Sequence, residues 1–156
     1  MAQTIDQRLV ELGITLPEAA APVAAYVPAV EVGGLVHLSG QLPFRDGAVI
    51  TGRLGDTMGV AEGQAAARAC ALMILAQLKR ALGDLDRIGR VVKLGVFVAS
   101  APDFTDQPKV ANGASELLAD VLGEAGRHAR SAVGVAALPL GAAVEVDAIV
   151  QIAGDS

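Results

Sequence analysis

The chain has 156 residues and a net charge of −5, with 53 % hydrophobic residues but only 3 % aromatic ones. That length fits one domain with a real core, built here from Ala, Val, Leu and Ile. The acidic balance argues against nucleic acid as a partner, which would need clustered Lys and Arg, and the single cysteine, Cys70, excludes a disulfide framework or a cysteine metal set.

So much apolar content in a small chain predicts surface buried against further copies, in a symmetric homo-oligomer. Met1 is followed by polar residues, not by a basic and then apolar leader. The longest apolar run, Ala69 to Ala76, is too short to span a bilayer. The expectation is a soluble, cytoplasmic protein with no membrane contact.

Thr4 to Leu12 reads as a short amphipathic helix. Thr4 with Gln7 forms a capping-box pattern, Ile5, Leu9 and Leu12 recur at helical spacing, and Gly13 can end it. Pro17 to Pro22 is an Ala/Pro linker. Residues 1–22 thus read as an appendage on the outside of a single domain over 23–156.

Tyr26 to Gln41 reads as a β-hairpin, Val27 to Val32 and Leu35 to Gly40 around a Gly33-Gly34 turn. Arg45-Asp46-Gly47 marks a turn, and the stretch to Asp56 a loop. Gly59 to Leu82 is the longest helix, with Ala67, Cys70, Ala71, Ile74, Leu78, Ala81 and Leu82 on one stripe. Leu72, Met73 and Leu75 fall outside it, so burial on more than one side is expected. Arg90 to Ala99 is a strand with Val92, Leu94, Val96 and Val98 on one face. Pro108 to Gly123 is a second long helix, and Gly113 within it predicts a close backbone approach. His128 to Val150 reads as two strands joined by the short turn Leu138-Pro139-Leu140-Gly141.

The order, a helix followed by ββαβαββ, predicts an α+β fold: a mixed sheet with both long helices on one face. The other face would be left for a partner.

No phosphate loop, nucleophile elbow or metal-spaced ligand set is present, and with only two histidines, His37 and His128, no metal is expected. Cys70 reads as a buried, inert thiol, and His37 as a tolerated polar strand position. His128 reads either as a solvated loop histidine or as the edge of a pocket. Arg130 and Glu145 interrupt apolar strands. They read as a structural pair or solvated charges, or as a division of labour in which Arg130 clamps a substrate carboxylate and Glu145 orients or activates a water. Strand register decides whether they share a face.

Several separated motifs carry a resemblance. Tyr26-Val27, Leu38-Ser39-Gly40-Gln41-Leu42-Pro43, Val92-Lys93-Leu94-Gly95-Val96-Phe97-Val98, Asp103-Phe104, Asn112, Arg130-Ser131 and Val144-Glu145-Val146 together resemble the Rid family of reactive intermediate deaminases. The family is also called YjgF-like and carries the label "endoribonuclease L-PSP". The resemblance runs from about Tyr26 to Ile152. It implies a chorismate-mutase-like fold and a homotrimer with pockets in the clefts between subunits. It implies that Arg130 holds the carboxylate of a 2-imino or enamine acid and that Glu145 places the attacking water, giving a 2-keto acid and ammonia without a cofactor. Tyr26, Ser39, Gly40 and Asn112 would shape the pocket. The chain departs from the family at His128-Ala129, where a Pro often stands, and at Ala132, where a Cys is common. Ser115, Leu117 and Leu118 replace usual helix aromatics. A non-catalytic binding protein for small carboxylates or a protein partner is the alternative, and ribonuclease activity is a third reading.

Overall fold

Gly33 and Gly34, at φ of 60° and 79°, close the two-residue turn between strands β1 (Ala29–Val32) and β2 (Leu35–Gln41). Two successive positive-φ residues match the twist of antiparallel strands, so the Gly-Gly pair fixes this hairpin locally. The computed structural model describes residues 2–22 and 24–154. A second, much smaller hairpin follows: β3 (Phe44–Arg45) and β4 (Ala48–Val49) flank Asp46 and Gly47, both at positive φ. This corrects the expectation of a plain loop. The strands are too short to show alternation, so only their turn was visible.

Helix α2 (Val60–Leu82) buries Cys70, Ala71, Ile74, Leu78 and Leu82, and also Met73 and Leu75. The burial on two sides has a visible cause. The 17–22 linker lies against α2, where Gln77 Nε2 donates to Ala20 O at 2.8 Å. Ala81, placed on the stripe from spacing alone, is exposed. Helix α3 (Gln107–Leu122) crosses α2 closely at Gly113, where an added Cβ would sit 2.1 Å from the Gln64 carbonyl oxygen. The close approach expected at Gly113 is therefore the backbone of α2.

Strands β5 (Ile88–Ala99), β6 (Ala129–Val135) and β7 (Val144–Ile152) complete a five-stranded mixed sheet in the order β1-β2-β7-β5-β6. The last two strands in sequence do not pair. β7 inserts between β2 and β5, antiparallel to both, and β6 lies on the far side of β5, parallel to it. The expected turn over 138–141 is instead part of a connection that passes the end of β5. There Ala99 N donates to Ala143 O at 2.9 Å and Ser100 N to Val135 O at 3.0 Å. A parallel pair needs a crossover, here α3, and that crossover moves β6 to the sheet edge.

Val36, Leu38, Leu94, Val96, Val98, Val144, Val146, Ala148 and Val150 face the helices and are buried. Val92 was expected on that face but is exposed, and Val91 is buried in its place. The pairing with β7 shifts between Val91 and Lys93, and one extra residue in a strand reverses the faces beyond it. The opposite face carries Leu35, His37, Lys93, Phe97, Glu145, Asp147 and Ile149, and among the described residues no helix or strand packs across it.

Helix α1 (Ile5–Glu11) starts with the expected capping box: Gln7 N donates to Thr4 Oγ1 at 3.1 Å and Thr4 N to Gln7 Oε1 at 2.9 Å. It is tied to the rest of the fold by Ile5 N donating to Asp86 and Arg8 Nε donating to Asp120 O. Leu9 enters the same core as the sheet, with 5 % of its surface exposed. Among the described residues no helix is long and apolar enough to cross a membrane.

Candidate active site

Arg130 sits on β6 opposite Leu94, a residue with no exposed surface, so its side chain points to the helix face of the sheet. There α3 receives it. Nη1 donates to Asn112 Oδ1 at 2.9 Å and to Ser115 Oγ at 3.1 Å, and Nη2 donates to the Pro108 carbonyl at 3.3 Å. All three acceptors are neutral. Among the described residues no carboxylate lies within ion-pair distance of Arg130. A half-buried guanidinium held in place but not neutralised has the chemistry to receive an anion.

His128 belongs to this cluster. Its Nε2 lies 2.9 Å from Ser115 Oγ and its Nδ1 2.7 Å from Gly126 O. Burial pushes its pKa below the ordinary histidine value; the Gly126 carbonyl opposes this and the Arg130 charge adds to it. A cavity of about 340 Å³ opens beside Ser115, His128 and Arg130. Of the two readings of His128, the structure supports the pocket edge.

The other expected residues gather elsewhere. The β2–β7 pairing shifts between Leu38 and Gln41, which makes a bulge at Ser39 and Gly40. Glu145 packs over that bulge: a Cβ on Gly40 would lie 2.6 Å from Glu145 Oε2, so glycine leaves the carboxylate its place. Ser39 Oγ donates to Val27 O at 2.9 Å, next to Tyr26, and Tyr26 and Gly40 line one small pocket with Leu42 and Phe44. Burial raises the pKa of Glu145 above the ordinary carboxylate value, and the charge of Asp147, two residues along β7, raises it further. Burial raises Asp147 as well, against the lowering effects of the Gly95 N–H and Lys93.

The chain thus brings Arg130 together with Asn112, and Glu145 together with Gly40, but does not bring Arg130 and Glu145 together; Tyr26 shares with Gly40 a pocket that Glu145 does not line, and Ser39 is held to the Val27 carbonyl beside it. Glu145 pairs with Phe97 on β5 and faces away from the helices, whereas Arg130 faces them. A salt bridge between them within one chain is excluded by this register. Sequence reasoning did not connect Ser115 and the Pro108 carbonyl to Arg130, and it missed Asp147. The Ser115 signal was its position three residues after Asn112, one turn along the same helix face. Cys70 is fully buried, its Sγ 3.5 Å from Val144 O, and burial raises its thiol pKa well above the ordinary value, with the Glu145 charge adding to this.

Comparison with known proteins bears on this arrangement. The family described as "YjgF/chorismate_mutase-like, putative endoribonuclease" matches residues 6–151. The chain is 62 % identical over 150 residues to Protein TCP17 of Trypanosoma cruzi, covering 95 % of this chain and 94 % of that one. It is 33 % identical to the 2-iminobutanoate/2-iminopropanoate deaminase of Dermatophagoides farinae, over 89 % of this chain and 94 % of that one. Its fold superposes with a TM-score of 0.89 on the crystal structure of Atu1372, a protein of unknown function from Agrobacterium tumefaciens. The two are 56 % identical, with 96 % of this chain and 92 % of that one covered. The mixed sheet with its helices on one face is the chorismate-mutase-like arrangement, and the chain belongs to the YjgF-like family.

Proposed function

We propose that this protein is a hydrolytic deaminase of 2-imino and enamine acids. It works as a homotrimer in which Arg130 of one copy and Glu145 of a neighbour complete each site. The observation that carries this reading is the unneutralised guanidinium, oriented by Asn112, Ser115 and the Pro108 carbonyl. The name of the Dermatophagoides farinae relative, a 2-iminobutanoate/2-iminopropanoate deaminase, supports the substrate class.

In this reading Arg130 takes the substrate carboxylate through paired N–H donors. Tyr26, Ser39, Gly40 and Asn112 shape the surrounding pocket. Glu145 orients a water toward the imine carbon. A carboxylate whose pKa is raised is better matched to passing a proton near neutral pH than an ordinary one. Water adds its oxygen to the C=N carbon and its proton ends on the nitrogen. The carbinolamine then loses ammonia as the C–N bond breaks and the C=O bond forms. The reaction consumes one water, yields a 2-keto acid and ammonia, and needs no cofactor.

The register supports the two-copy reading. Neither residue can reach the other's face within one chain, while β6 and β1 are the edges of the sheet among the described residues. The test is ammonia release from imines generated in place by an amino-acid oxidase, for the intact protein and Arg130→Ala. Acceleration lost in the variant supports the reading; acceleration that persists in it removes Arg130 from the site.

A further inference from the structure

A chain of hydrogen bonds runs from a backbone carbonyl to the Arg130 guanidinium. The Gly126 carbonyl can only accept, so the His128 Nδ1 at 2.7 Å carries a proton and donates it. In the neutral ring Nε2 is then an acceptor, and Ser115 Oγ at 2.9 Å gives it its one hydrogen. The Ser115 oxygen is left with lone pairs, which receive Arg130 Nη1 at 3.1 Å. Asn112 Oδ1 receives the same nitrogen at 2.9 Å. Each link has a defined direction, and the direction is set at its far end by Gly126.

We propose that His128 is a positioning residue for Arg130: acting through Ser115, its neutral Nδ1–H tautomer sets the guanidinium plane and so the affinity for the substrate carboxylate. The inference rests on the clamp reading of Arg130.

The chain also has a pH dependence. A second proton on His128 goes to Nε2, which must then donate to Ser115 Oγ. That oxygen would receive hydrogen bonds from two cations, and its own hydrogen would lose its acceptor. The charged groups around the ring are Arg130 of β6, Arg127 just before it and Glu116 of α3. Arg127 is itself paired with Glu124 at 3.4 Å, and its carbonyl accepts from Arg90 Nε of β5. Acidification through the His128 titration therefore loosens the clamp.

The test uses the full-length protein and two readouts. One is rotation of the Arg130 guanidinium, followed by nitrogen-15 NMR without ligand. The other is pyruvate affinity by calorimetry between about pH 5 and 8, spanning the ordinary histidine range. His128→Ala and Ser115→Ala should each free the rotation and weaken pyruvate binding about tenfold, the scale of one hydrogen bond to a charged group. The double variant should be no weaker than either single one, because both break the same chain. His128→Gln, which keeps an acceptor but does not titrate, should restore affinity and abolish its decline at low pH. Unchanged rotation in His128→Ala, additive losses in the double variant, or tighter binding on acidification would each overturn the proposal. Rotation that responds as expected while the intact protein ignores pyruvate would instead overturn the clamp reading and leave the positioning chain standing.

Discussion

Arg130 and Glu145 project from opposite faces of the same sheet, with β5 between their strands. Arg130 is level with Leu94 and Glu145 with Phe97, so two strand spacings of about 5 Å and three residues of about 3.3 Å separate their backbones. Side chains leaving on opposite faces widen that gap. Each residue has its own local support: the α3 acceptors for Arg130, the Ser39-Gly40 bulge for Glu145. Two separately supported groups on opposite faces are what the proposed two-copy site requires of each chain.

The crossing of α2 and α3 depends on Gly113. Alanine there gains about 1 kcal/mol of helix propensity. Its Cβ, however, would lie 2.1 Å from a backbone oxygen, which cannot swing away as a side chain can. Gly113→Ala should destabilise the fold by about 1–3 kcal/mol net, read as a lower urea midpoint.

Gly40→Ala should separate stability from activity. The atoms its Cβ would meet, Oε2, Cδ and Cγ, belong to the Glu145 side chain, which can rotate aside where a backbone atom cannot. The expected stability loss is below about 1 kcal/mol. Ammonia release should fall at least about tenfold as Glu145 leaves its place. Thermal unfolding and turnover measured on the same preparation check both halves.

Local signals survived translation into structure, and long-range ones did not. The Thr4–Gln7 box, the Gly33-Gly34 turn and both long helices were legible because neighbouring residues determine them. Strands β6 and β7 were legible as strands, but their apparent hairpin was not real. Pairing β7 with β5 and β2 is decided by residues 46 (Val98 with Val144) to 116 (Leu35 with Gln151) positions away along the chain. The bulge at Val91–Lys93 left no mark in a run of alternating apolar residues, so Val92 was assigned to the wrong face. Arg130 and Glu145 stood out because charges inside apolar strands need a reason. Their opposite faces, and the hold of Ser115 and His128 on Arg130, come only from register and helix packing.

Helix α1 contributes to the core as well as covering it. Leu9 is almost fully buried against the same cluster as the sheet residues. Leu9→Ala should cost about 2–4 kcal/mol, in one cooperative unfolding transition that includes the sheet. A separate early transition would show that α1 folds as an independent appendage.

Glu145 makes stability depend on pH. Its folded pKa is raised above 4.5, so the folded chain holds its proton more tightly than the unfolded chain. Stability is therefore lost as pH rises from the ordinary carboxylate range through the raised value. Glu145→Gln removes the cost of burying that charge. The variant should melt higher than the parent protein at pH 7 and match it near pH 4, by calorimetry across that range. A lower melting temperature at pH 7 would mean that the charge is stabilised by a partner.

One site built from two copies is tested most directly by mixing inactive variants. Arg130→Ala and Glu145→Gln chains are purified, unfolded together in equal amounts, refolded and assayed for imine hydrolysis. Random assembly should give about a quarter of the sites an intact Arg130 from one chain and an intact Glu145 from its neighbour. Recovery of about a quarter of the parental activity is the predicted result. A mixture that co-assembles by mass measurement yet remains as inactive as either variant alone would contradict a site shared between copies.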